Sequence, residues 1–153
     1  MISKYVYQEL VKKGLTIAFA ESMTGGALTY EMVKNPGASK VIKGSIVAYS
    51  NEQKMNLLQI SKTDIDSYPV VSKEIASLMA KRIKKITGSS IGVGITGNAG
   101  PSFQENTYKQ EAWLAIETDH HIETYHLNLE NLTRLKAILK AVHFTYETLK
   151  NLI

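Results

Sequence analysis

The segment Leu15-Thr16-Ile17-Ala18-Phe19-Ala20-Glu21-Ser22-Met23-Thr24-Gly25-Gly26 decides the reading of this chain. Leu15 to Phe19 form a short apolar run, the pattern of a buried strand. Ala27 to Lys34 follow without a breaker and predict a helix. Ser22 and Thr24 ahead of two glycines at such a junction place a hydroxyl at the carboxyl end of a strand. Backbone N–H groups at a helix N-terminus lie beside it, with no side chains blocking approach. A nucleophile next to an oxyanion site is built this way. So is an N-capped helix in which Ser22 or Thr24 only satisfies orphan N–H groups. The segment alone leaves both readings open.

Working outward, residues 2–13 carry Ile2, Val6 and Leu10 at four-residue spacing, an amphipathic helix stopped by Gly14. Downstream, Asn35-Pro36-Gly37 ends the second helix. Ser45 to Tyr49 predict a second strand, and Ser50-Asn51 cap a short helix over Glu52 to Leu58. The stretch with Ser61, Thr63, Asp64, Asp66 and Pro69 reads as loop. A strong helix then begins near Ser72, with Ile75, Leu78, Met79, Ile83 and Ile86 on one face, and Gly88 stops it. Its lysines, Lys73, Lys81, Lys84 and Lys85, form a solvated stripe. Ile91 to Ile95 form a third strand whose glycines indicate a close backbone approach. Residues Ser102 to Gln110 read as a polar, mobile loop. Trp113 to Ile116 and Ile122 to Leu129 make a hairpin across Asp119-His120-His121. A last helix aligns Leu132, Leu135, Ile138, Leu139, Val142, Tyr146 and Leu149 on one stripe. This order predicts an α/β protein: a three-layer α/β/α sandwich with a mixed sheet, one domain over residues 1–153.

Composition sets outer bounds. At 153 residues the chain is long enough for one substantial core. No apolar run approaches the roughly 18 residues of a membrane span. The start, Met1-Ile2-Ser3-Lys4-Tyr5, lacks a secretory signal's apolar segment. Zero cysteines remove disulfides and thiolate metal sites and are compatible with a cytoplasmic location. The formal charge of +4 is modest and spread along the chain, so nucleic-acid binding is not indicated.

Loops following three strands, Ser22 to Gly26, Tyr49 to Lys54 and Thr96 to Pro101, are expected to meet, because open α/β sheets bind ligands at the carboxyl ends of strands. A lysine desolvated near a serine loses its proton near neutral pH and can act as general base. Lys54 is the candidate, with Tyr49 relaying the proton or holding the serine hydroxyl; an ordinary exposed helix lysine is the alternative. Gly25-Gly26 is no P-loop, since no Lys-Ser/Thr follows at the required spacing. Tyr49 and Lys54 are five apart with no dinucleotide fingerprint before them, unlike the four-residue spacing of short-chain dehydrogenases. His126 and His143 stand alone, His120-His121 lie in a turn, and no metal site is expected.

Ala20-Glu21-Ser22-Met23-Thr24-Gly25-Gly26, Pro36-Gly37-Ala38-Ser39, Val47 to Met55, Val70-Val71-Ser72 and Thr96-Gly97-Asn98-Ala99-Gly100-Pro101 resemble, in order and spacing, the C-terminal domain of the competence/damage-inducible protein CinA. That domain also occurs alone as nicotinamide-nucleotide amidase. The resemblance implies an α/β/α fold, a homo-oligomer, and hydrolysis of a small nucleotide, nicotinamide mononucleotide, to nicotinate mononucleotide and ammonia. It calls for no cofactor or metal. The family's serine, tyrosine and lysine fall on Ser22, Tyr49 and Lys54. Backbone N–H groups near Thr24, Gly25 and Gly26 would hold the oxyanion, and Thr96, Gly97, Asn98, Ala99 and Gly100 would line the substrate pocket. Beyond residue 101 the chain departs from the family pattern. Ser102 to Ala112 replace a glycine-rich loop, and Leu129-Glu130-Asn131 stand where the family often has Gly-Asp-Arg, although Arg134 matches a second family arginine. The catalytic half is therefore expected intact and the substrate-holding half altered. The alternative is a divergent, non-catalytic relative that binds a nucleotide or a protein.

Overall fold

Strand β1 (Ile17–Glu21) is buried at every position, and its two faces feed two different cores. The computed structural model describes residues 2–103, 107–119 and 121–153; Met1, Gln104 to Asn106 and His120 of the sequence reading lie outside them. Ile17 and Phe19 point to one core, with Val93, Ile95, Leu114 and Ile116 of neighbouring strands. Helices α1 (Ile2–Lys13), α2 (Ala27–Val33) and α6 (Arg134–Leu152) cover that core. Ala18 and Ala20 point the other way, against Ile75, Met79 and Ile83 of α5 (Lys73–Thr87). That layer continues through the short helices α3 (Asn51–Asn56) and α4 (Lys62–Ser67). The sheet between them has five strands in the order β2-β1-β3-β4-β5. Strands β2 (Ile42–Val47) and β3 (Ile91–Gly97) run parallel to β1. Strands β4 (Glu111–Glu117) and β5 (Ile122–Asn128) are antiparallel. The molecule is the single-domain, three-layer sandwich with a mixed sheet that the sequence predicts.

Several expectations are corrected in detail. β1 extends to Glu21, because Ala48 N–H still bonds to Glu21 C=O at 2.8 Å, while Leu15 lies between α1 and β1, its N–H turned back onto Leu10 C=O. The stretch read as loop holds α4, whose polar residues are cap and first turn: Ser61 Oγ accepts from Asp64 N–H. Leu135 and Leu139 are 66% and 56% exposed, and α6 instead buries Ala137, Ala141, Thr145 and Thr148. The two threonines can face the core because each donates its hydroxyl back along the helix, to Ala141 and Phe144 C=O.

The β3 glycines have the reason the sequence suggested. A Cβ on Gly94 would lie 2.4 Å from Ala76 C=O and 2.6 Å from Ala80 N, both backbone atoms of α5. Gly92 is as tight, 2.2 Å from Ala80 C=O. Ala76 and Ala80 are buried there, while Ile86, expected on the core face, is 40% exposed. Helix and strand thus meet backbone to backbone. Gly94→Ala is expected to push α5 away and destabilise the fold by about 1–3 kcal/mol. A denaturant midpoint equal to that of the wild type would contradict this packing.

Candidate active site

The carboxyl ends of β1, β2 and β3 lie side by side, and their loops border a cavity of about 630 Å³. Ser22, Tyr49, Gly97, Asn98, Ala99 and Arg134 line it. Ser22 follows the last residue of β1 and is 2% exposed. Lys54 arrives from α3, a one-and-a-half-turn helix fixed by Ser50, whose Oγ accepts from Gln53 N–H. Lys54 is the only residue of α3 that is buried, at 0% exposure.

Lys54 Nζ donates to Ser22 Oγ at 3.4 Å. No salt bridge forms at Lys54 among the described residues, and burial lowers its pKa from 10.5 to about 8. The direction follows from desolvation, which penalises the ammonium with no carboxylate to offset the cost. When the amine is neutral the same contact runs in reverse, hydroxyl to nitrogen. A separation of 3.4 Å is loose for proton transfer, as is common in sites without substrate.

Tyr49 is placed differently from the expected relay. Its ring is 56% exposed and its hydroxyl accepts from an Arg134 terminal nitrogen at 2.7 Å, with no bond to Ser22 or Lys54. The second terminal nitrogen of Arg134 donates to Gly100 C=O at 2.7 Å. Arg134 opens α6 directly after the cap Thr133, so the guanidinium stands where that helix meets the cavity rim. It ties the Tyr49 loop to the Gly100 loop. The remaining N–H groups of the fork are available to an anion.

The glycines after Ser22 serve geometry first. Gly25 and Gly26 have φ of 59° and 103°, which side chains rarely adopt. Gly25 N–H donates to Ser22 C=O at 3.1 Å and Gly26 N–H to the Glu21 carboxylate at 3.1 Å, so both expected oxyanion donors are already engaged. Thr24 is buried, its hydroxyl on the same carboxylate. Among the described residues the backbone N–H groups of Met23 and Thr24 have no acceptor. Thr96, expected in the pocket lining, is not among the lining residues, and its hydroxyl donates to Val70 C=O at 2.9 Å. Gly97 abuts Met23: a Cβ there would lie 2.5 Å from its sulfur.

Sequence reasoning missed Glu21, whose signal was available as a carboxylate at a strand end just ahead of a helix without a side-chain cap of its own. It also missed Phe103 and Ser102, which line the cavity from the divergent loop. Asn131 takes φ 66°, a left-handed turn position that asparagine tolerates, and does not line the cavity. Arg134 is the arginine that does. The described histidines pair with single carboxylates, His121 with Glu123, His126 with Glu111 and His143 with Glu147.

A family model described as the CinA C-terminal domain matches residues 1–153. The chain belongs to the CinA C-terminal domain family. A putative competence-damage inducible protein of Bacillus subtilis is 40% identical over 114 residues, covering 74% of this chain and 27% of its own length. One from Shouchella clausii is 38% identical over 151 residues, 96% of this chain and 36% of its own length. The chain therefore spans about a quarter to a third of these curated relatives. The crystal structure of a CinA superfamily protein from Klebsiella pneumoniae superposes with a TM-score of 0.93 at 25% identity, covering 98% of this chain and 94% of that one. No helix among the described residues is long and apolar enough to cross a membrane.

Proposed function

We propose that this CinA domain is a serine amidohydrolase acting on the carboxamide of a nucleotide, with nicotinamide mononucleotide the substrate to test first. One observation carries the reading: a buried serine hydroxyl and a buried, pKa-lowered lysine amine lie 3.4 Å apart at the floor of a cavity. Neutral Lys54 takes the Ser22 proton as Oγ attacks the carboxamide carbon. The resulting oxyanion takes hydrogen bonds from Met23 and Thr24 N–H, the donors left unused in the turn. Lys54 then returns its proton to the leaving nitrogen, ammonia departs, and an acyl-serine remains. Water, deprotonated by the same amine, releases the acid and restores Ser22. Every step is proton transfer and acyl transfer, for which no metal is required.

Arg134 supplies the charge for a phosphate at the cavity mouth, and Phe103, 45% exposed on the lining, offers a flat apolar surface to a pyridine ring. Removing one charge-assisted contact of about 1.5–3 kcal/mol corresponds to a roughly 10- to 150-fold change in binding. Arg134→Ala is therefore expected to raise KM for the nucleotide by that factor, with a smaller change in kcat. An unchanged KM would remove Arg134 from substrate binding.

The deciding experiment is direct ammonia release from nicotinamide mononucleotide by the purified chain. Activity is expected, and it should persist with EDTA present; a loss that Zn²⁺ or Mg²⁺ restores would overturn the metal-free mechanism. No turnover at millimolar substrate, with Ser22 intact, would favour the alternative of a non-catalytic domain that binds a nucleotide or a protein.

A further inference from the structure

Glu21 is fully buried one residue before the nucleophile, and its carboxylate collects hydrogen bonds from both sides of the turn that follows. Oε1 accepts from Thr24 Oγ1 at 2.7 Å, Gly26 N–H at 3.1 Å and Leu28 N–H at 2.9 Å. Oε2 accepts from Thr29 N–H at 3.0 Å and Thr29 Oγ1 at 2.6 Å. A buried carboxylate is costly unless it is saturated in this way. Helix α2 alone does not need one. In an ordinary N-cap geometry a serine or aspartate would satisfy the Leu28 and Thr29 N–H groups locally, yet that position holds Gly26 at φ 103°, without a side-chain cap. Capping from Glu21, five residues before the N-cap position, does something a local cap cannot: it fixes the helix, the turn and the strand end to one another. Between those anchors lie Ser22 and the N–H groups of Met23 and Thr24. The backbone carbonyl of the same residue holds Ala48, two residues before the segment that brings in Lys54.

We propose that Glu21 is a positioning residue for the reaction, its carboxylate holding the Ser22 hydroxyl and the Met23 and Thr24 N–H donors in attacking register. The inference rests on the serine-nucleophile reading above, and its test has a readout that does not depend on the substrate. A fluorophosphonate labels an activated serine at a rate that needs both nucleophile and oxyanion donors, whatever amide the protein hydrolyses. In Glu21→Gln one oxygen becomes an NH₂ facing donors, so the turn relaxes while the side-chain volume stays. A displacement near 1 Å costs on the order of 100-fold in rate. Labelling of Ser22 should slow by about that factor, and kcat for nicotinamide mononucleotide should fall in parallel with KM changed less than about threefold. Tyr146→Phe, which removes a buried hydrogen bond to Leu28 C=O on the same helix, serves as the destabilised control and should label at the wild-type rate.

Wild-type labelling in folded Glu21→Gln overturns the proposal, and so does equal slowing in Tyr146→Phe. Should Glu21→Gln fail to fold, Thr24→Val takes its place: it removes one bond to Oε1 and should slow labelling about tenfold, an unchanged rate again overturning the proposal. If the wild type labels but releases no ammonia, the nucleotide-amidase reading fails and labelling still decides the role of Glu21. A wild type that neither labels nor turns over overturns both.

Discussion

Ser22→Ala is expected to fold as the wild type does and to lose amide hydrolysis by roughly 10⁴- to 10⁶-fold, the scale on which a nucleophile and its base fail together. The fold should barely register the change. Ser22 lies at the end of β1, its backbone remains as it is, and the only side-chain hydrogen bond lost is the long one from Lys54. The Tm is accordingly expected to move by less than about 5 °C. The chemistry depends on the same atom entirely: without Oγ there is no acyl-serine, and residual turnover comes only from binding and the oxyanion donors. Ammonia release and a thermal melt on one preparation check both halves. Activity near the wild-type level would sink the serine mechanism, because among the described residues the hydroxyl hydrogen-bonded to Lys54 is that of Ser22.

The parts of this site that sequence exposed are those carried by local pattern. An apolar run meeting Ser22, Gly25 and Gly26 marks a strand-to-helix junction, Ser50 caps α3 as its residue type suggested, and α5 begins at Ser72. Gly92 and Gly94 announced a close approach, and α5 makes it. What stayed hidden depends on contacts between distant segments. Lys54 is one polar residue of a short polar helix, and only its docking beneath the Ser22 turn, 32 residues away in sequence, removes it from water. The Tyr49–Arg134 bond spans 85 residues, so nothing near Tyr49 shows that its hydroxyl is committed to a guanidinium. Helix α6 misled for a different reason. Leucine spacing suggested its buried face, but the space beside α1 and α2 admits Ala137 and Ala141, leaving Leu135 and Leu139 outside. Glu21 was overlooked because a glutamate's usual place is the surface, and its five donors come together only once β1 and α2 have closed on each other.

Lys54→Met is expected to abolish activity and yet make the protein more stable at pH 7. In the unfolded chain the amine titrates near 10.5, and in the fold it titrates near 8. Between those values the unfolded state binds more protons, so stability rises with pH across that window and sits at its lower level below pH 8. The difference corresponds to about 3 kcal/mol at neutral pH, the cost of holding a desolvated ammonium that has no salt bridge among the described residues. Methionine keeps most of the volume and removes the charge, so the denaturant midpoint should increase at pH 7 and lose its rise between about pH 8 and 10.5. Catalysis has the opposite requirement. Only the neutral amine accepts the Ser22 proton, so kcat/KM of the wild type should climb about tenfold per pH unit below 8 and level off above it. A site selected for reactivity at the expense of stability shows this pair of opposed effects. Three results would each break the argument: a kcat/KM profile flat across that range with chemistry rate-limiting, an active Lys54→Met, or a Lys54→Met less stable than the wild type at pH 7. The last would mean that the ammonium is compensated where it lies, and an amine compensated in that way is too basic to act as the base.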